Sequence, residues 1–150
     1  MSEGILIRKC KGSNITIDSK KVTKITIEAC ENTTINLDTV ILSSTLEIIN
    51  SEKCNIQYKS SDEKNTFLTI QIDNTKKNDF KMLPNSNGDL TGITIFSDNR
   101  CTKNTITIPN FENIKEFKTH DIIINDVDTI QHRTKISEKT NSVITVPVAR

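Results

Sequence analysis

Apolar and polar residues alternate in short pulses that return about every ten residues. The pulses read Ile15-Thr16-Ile17, Ile25-Thr26-Ile27, Ile35-Asn36-Leu37, Leu46-Glu47-Ile48, Ile56 and Ile70-Gln71-Ile72. Alternation with a period of two is the mark of a strand with one buried face. Polar stretches separate the pulses: Asp18 to Lys21, Glu28 to Thr33, Asp38-Thr39 and Asn50 to Lys53. Short strands at a fixed spacing point to a repeat architecture.

Two folds suit such a pattern. An antiparallel sandwich places short alternating strands between turns every 8–12 residues or so. A coil of two strands per turn instead stacks like strand on like strand in parallel, with two sheets facing each other. In that coil Ile15, Ile35 and Ile56 form one inward column, and Ile25, Leu46 and Ile70 the other. Thr16, Asn36 and Gln57 then point outward on one face, and Thr26, Glu47 and Gln71 on the other. Cys10 and Cys30 lie two pulses apart and would sit one above the other. That vertical match favours the coil. So do the 4 glycines and 3 prolines, too few for many tight hairpins.

The pulse loosens after residue 73. Asp79 to Leu83, Gly92 to Phe96 and Thr105 to Pro109 read as further strands, with a turn at Asn87-Gly88. Ile122-Ile123-Ile124, an Asn125-Asp126 turn and Val127 to Ile130 read as a hairpin. Residues 131–141 are polar, and Val143 to Val148 is a last apolar stretch.

Composition supports an all-β chain. Ile, Val and Thr total 50 residues against 11 for Ala, Leu and Met. Branched side chains suit a pleated surface better than a helix. At 150 residues the chain has room for one core. Lys+Arg number 20 and Asp+Glu 19, so the net charge is +1 and offers no general pull on nucleic acid or an anionic membrane. Residues 1–8 lack the apolar run of a secretion signal, and no segment approaches the ~18 apolar residues of a spanning helix. A cytosolic setting follows, in which structural disulfides are rare. Cys10, Cys30, Cys54 and Cys101 form no Cys-x-x-Cys pair, and His120 and His132 lie far from them. The thiols read as small buried side chains rather than metal ligands.

Several segments, in order, resemble the C-terminal domain of cyclase-associated protein, a family of actin-monomer regulators. They are Lys9-Cys10-Lys11, Ser13 to Ile17, Ile25 to Asn32, Leu46 to Ser51 with Asn55-Ile56-Gln57, Ile70 to Thr75, Thr105 to Pro109, Glu116 to Thr119 and Ile130-Gln131-His132. Lys76 and Lys77 stand where the family usually has a glycine. The resemblance implies a right-handed parallel β-helix over residues 1–133 with a C-terminal β-hairpin used for dimerisation. Residues 134–150 are then an extension with no counterpart. Larger members also carry a helical region and proline-rich stretches; no heptad pattern or proline run occurs in these 150 residues.

The implied activity is binding of actin monomers, ADP form preferred, and promotion of ADP-to-ATP exchange. It is a cytoplasmic, cytoskeletal role with no catalysis, cofactor, nucleic acid or membrane involved. Expected actin contacts are Lys20, Lys21, Lys24, Asn32, Asn36 and Gln57 in polar turns and outward columns, with Lys118 and His132 in the closing segment. The resemblance also implies a homodimer by strand exchange, using Phe117, Ile122, Ile123, Ile124, Val127 and Ile130. Three rivals remain. Tubulin cofactor C and its relatives share this fold and activate GTPases through an inserted arginine, but Gln131-His132-Arg133 lies outside the coil. Polysaccharide-cleaving β-helices use clustered carboxylates, whereas Asp18, Asp38 and Glu28 fall at strand ends. A non-catalytic adaptor is the third.

Overall fold

The computed structural model describes residues 4–59, 68–82, 93–98, 100–107, 115–117, 130–137 and 142–149. These residues contain strands and turns and no helix. The strands fall into two sheets that alternate along the chain. The first sheet takes β1 (Ile5–Arg8), β3 (Ile25–Glu28), β5 (Thr45–Ile49), β7 (Leu68–Asp73) and β9 (Ile93–Ser97), in that spatial order. The second takes β2 (Asn14–Val22), β4 (Thr34–Ile41), β6 (Asn55–Lys59), β8 (Asp79–Met82) and β10 (Asn104–Thr107). All neighbours within these two series pair in parallel. The result is a β-solenoid of about four turns. Parallel pairing rules out the sandwich.

The expected columns are the observed ones. Ile15, Ile35 and Ile56 are in register, and Phe80 and Ile106 continue that line. Ile25, Leu46 and Ile70 are in register, extended by Ile5 below and Ile95 above. Ile25, Ile35, Leu46 and Ile70 are each 0% exposed. Each such side chain contributes about 1.5–3 kcal/mol by leaving water. The outward columns also hold: Thr16, Asn36 and Gln57 are neighbours, as are Thr26, Glu47 and Gln71.

Parallel growth stops at the C-terminal end. β11 (Lys115–Phe117) pairs antiparallel with β10, and β12 (Ile130–Ser137) pairs antiparallel with β9. β13 (Ser142–Ala149) returns antiparallel on β12, from Ile130↔Ala149 to Ser137↔Ser142. The described hairpin is therefore β12–β13. The hairpin expected at Ile122 to Ile130 lies outside the described residues except for Ile130 itself. Within the polar stretch 131–141, residues 131–137 are strand. His132 and Thr134 are its inward positions, at 0% and 1% exposure. Polar residues pointing inward hid the period of two from a hydrophobicity reading.

Candidate binding surfaces

One corner of the coil repeats with little change. Lys11, Glu31, Glu52, Lys76 and Thr102 bridge one another in parallel on successive rungs, 20, 21, 24 and 26 residues apart. The residue after each bridge has a positive φ: Gly12 at 63°, Asn32 at 49°, Lys53 at 55°, Lys77 at 56° and Lys103 at 57°. Two positions before each bridge except the last, Lys9, Ala29, Asn50 and Asn74 also have positive φ, between 47° and 54°. This left-handed backbone costs a non-glycine residue about 1–3 kcal/mol and persists only where surroundings enforce it.

The enforcement comes from inside the corner. The residues beside the bridges point inward and are short hydrogen-bonding side chains. One inward column runs Cys10, Cys30, Ser51, Thr75, Cys101, and the other Ser13, Thr33, Cys54, Asn78, Asn104. Each bonds back to a turn carbonyl or amide. Ser51 Oγ donates to Ile49 O at 3.1 Å and accepts from Cys30 N at 3.2 Å. Thr75 Oγ1 donates to Asp73 O at 3.0 Å, and Thr33 Oγ1 to Glu31 O at 3.0 Å. Asn78 Oδ1 accepts from Cys54 N at 2.8 Å, and Asn104 Nδ2 donates to Thr75 O at 2.9 Å. Buried turn amides and carbonyls cannot be left without partners, which explains the residue types.

The cysteines belong to this network and are free thiols. Cys30, Cys54 and Cys101 are buried, and burial pushes each thiol up, Cys101 to about 12. Such thiols are poor nucleophiles. No cluster of metal-ligating residues occurs among the described residues.

Asp98 closes the top of the corner. Its carboxylate accepts from Asn74 N at 3.1 Å and Arg100 N at 3.1 Å, and from Arg100 Nε at 2.8 Å. The side chain is thus an acceptor where the next rung would have supplied a carbonyl. Burial alone would raise its pKa. The hydrogen bonds from Asn74, Arg100 and Cys101 outweigh burial and hold it below the usual carboxylate range.

The residues expected to contact a partner do not form one patch. Asn36 and Gln57 are adjacent on the outer face of the second sheet, and Asn36 Nδ2 approaches Asn14 Oδ1 at 3.4 Å. Lys20 and Lys21 lie on β2 of the same sheet, by the register shift between Asp18 and Lys21. Asn32 sits at the corner with positive φ. Lys24 precedes the first sheet's β3, and its Nζ is 3.2 Å from Glu47 Oε2. His132 is fully buried opposite Ser97 and Pro147, so it offers no surface in this arrangement. Phe117 lies on β11 opposite Asn104, and Ile130 on β12 opposite Ala149. Lys118, Ile122, Ile123, Ile124 and Val127 lie outside the described residues. Sequence reasoning passed over the corner residues Lys53, Lys77 and Lys103. Their alignment with Gly12 and Asn32, one place after each bridge, was the available signal.

The architecture defines a parallel β-solenoid with antiparallel closure, a rigid scaffold that presents regular polar columns. No helix among the described residues is long and apolar enough to cross a membrane. The family model described as "Adenylate cyclase associated (CAP) C terminal" matches residues 1–139. The chain belongs to this family, which is one of actin regulators. Among solved structures, the cyclase-associated protein from Cryptosporidium parvum is similar, with a TM-score of 0.60 and 18% identity over 97% of this chain and 75% of that one. No curated protein matches.

Proposed function

We propose that this domain binds actin monomers, prefers the ADP form and promotes exchange of ADP for ATP. The observation that carries the reading is the family match across residues 1–139. The mechanism needs no covalent step. A partner that binds the nucleotide-loosened state of actin more tightly shifts the population towards that state, by as much as its differential affinity allows. A solenoid face suits the task because its columns are already ordered and lose little freedom on binding.

The second sheet's outer face is the preferred contact. It holds Asn36 and Gln57 side by side, with Lys20 and Lys21 on its edge strand. Asn32, Lys24 and Lys118 are secondary contacts. His132 acts by seating β12 against β9. The reading places the protein in the cytoplasm with the actin cytoskeleton.

Dimerisation is part of the same proposal. β12–β13 is an antiparallel unit added to a parallel sheet, so it can dock on β9 of its own chain or of a second copy at similar cost. Phe117, Ile122, Ile123, Ile124, Val127 and Ile130 would carry the exchange. Sedimentation at micromolar concentration should give a dimer; a monomer would remove this part alone.

The decisive assay is release of a fluorescent nucleotide from ADP-actin. Addition of the domain should accelerate it, and Asn36→Lys with Gln57→Lys should weaken the effect at least tenfold. No acceleration by the wild-type domain would overturn the reading.

A further inference from the structure

The third, fourth and fifth corners carry an unusual column. Lys53, Lys77 and Lys103 follow one another on successive rungs, all exposed and all with φ between 55° and 57°. Neighbouring rungs are spaced by about 4.8 Å, so like charges stand side by side. Gly12 and Asn32 occupy this position on the first two rungs. Glycine and asparagine tolerate the left-handed backbone; lysine does not favour it. Two local costs, strain and repulsion between cations, thus coincide at three consecutive rungs.

The outward corner positions carry Lys9, Lys11, Lys53, Lys76, Lys77 and Lys103 against two carboxylates, Glu31 and Glu52. That excess of four positive charges sits on one ridge of a chain whose total is +1. Arg100 is set aside because it is bound to Asp98. Glu31 lies 4.0 Å from Lys11 and Glu52 3.7 Å from Lys77, so the ridge is basic with acidic breaks. A polar notch lined by Asn50, Ser51, Glu52, Asn74 and Lys76 runs beside it.

We infer that this lysine ridge is a docking surface for an acidic segment of a protein partner, separate from the sheet face assigned to actin. The corner imposes the left-handed backbone on every rung, but lysine where Gly12 and Asn32 suffice adds a cost that the fold does not require and points to a use outside it. The ridge is straight and narrow, which suits a single peptide segment rather than the broad plane of a membrane. Glu31 and Glu52 interrupt it, which disfavours a uniform phosphate backbone and tolerates a mixed protein sequence. The notch supplies the side-chain amides of Asn50 and Asn74 for a peptide main chain.

The test is fluorescence anisotropy with a labelled oligoglutamate peptide, run beside inositol hexakisphosphate and phosphatidylserine vesicles. The wild-type domain should bind the peptide, more weakly as salt rises. The triple variant K53N/K77N/K103N should lose at least tenfold in affinity while its melting temperature stays level or rises, since asparagine relieves the strain. K53R/K77R/K103R should retain binding. The inference is overturned if wild type and the asparagine variant bind alike, or if the peptide does not bind. It also fails if only the phosphate ligand or the vesicles bind, or if the asparagine variant melts lower, which would assign the lysines to folding.

Discussion

The two ends of the solenoid are finished differently. On the first rung, Ile5, Cys10, Ile15 and Ile17 are only partly buried. One rung up the same columns hold Ile25, Cys30, Ile35 and Leu37, each at 0% or 1% exposure. The chemistry is nearly identical, so the difference comes from having neighbours on one side or on both. At the other end β11 and the β12–β13 hairpin lie over the last parallel strands, and Ile95, Cys101 and Ile106 are 1% exposed. In a stacked architecture each rung is stabilised mainly by the next, and an end is as dry as its cover.

The largest test of this contrast is a matched pair of truncations. Ile70→Ala, in mid-stack, should cost about 2–5 kcal/mol in urea unfolding, whereas Ile15→Ala should cost about 1 kcal/mol. Equal losses would overturn the contrast between the two rungs.

Asp98 sharpens the contrast at the covered end. Asp98→Asn should cost about 1–3 kcal/mol, because the charge-assisted bonds to Arg100 and the buried amides weaken. The folded-state pKa is depressed, so the carboxylate's stabilisation is present above the ordinary value near ~3.9 and is lost as pH falls through the folded value. The variant should therefore show a flatter acid limb in its stability profile than the wild type.

Cys101 gives the alkaline counterpart. Its thiol is raised to about 12, so the folded state keeps a proton that the unfolded chain releases above its ordinary value of 9.0. Stability is intact below that value and declines as pH rises towards 12. Cys101→Ser should reduce this decline. In the native protein a thiol reagent should label Cys10 first and Cys30, Cys54 and Cys101 only on unfolding. The smallest effects belong to the exposed apolar residues. Leu6→Thr and Ile144→Thr should shift stability by no more than about 0.5 kcal/mol, since both side chains are more than half exposed.

The isoleucine columns were legible because apolar identity and the period of two coincide at Ile15, Ile25, Ile35 and Leu46. Once the coil was assumed, the pairing of Asn36 with Gln57 followed by counting. β12 was not legible, because its buried positions are His132 and Thr134. Nor was the corner. A lysine at positive φ carries no local sign in the sequence, and the signal lies only in its alignment with Gly12 and Asn32 on earlier rungs. His120 lies outside the described residues, whereas the expectation of a surface contact at His132 rests on the family's closing segment and not on the strand's register. The register placed it in the line of Ile72 and Ser97, facing inward.

The coil lengthens unevenly. From the first sheet to the second the chain always takes a similar path: Arg8 to Asn14, Glu28 to Thr34, Ile49 to Asn55, Asp73 to Asp79. The return path grows, from Val22–Ile25 and Ile41–Thr45 to Lys59–Leu68 and Met82–Ile93. One flank therefore keeps time for the whole winding while the opposite flank absorbs spare sequence. A reporter peptide grafted between β6 and β7 would emerge on that permissive flank, leaving the pitch of every later turn as it was.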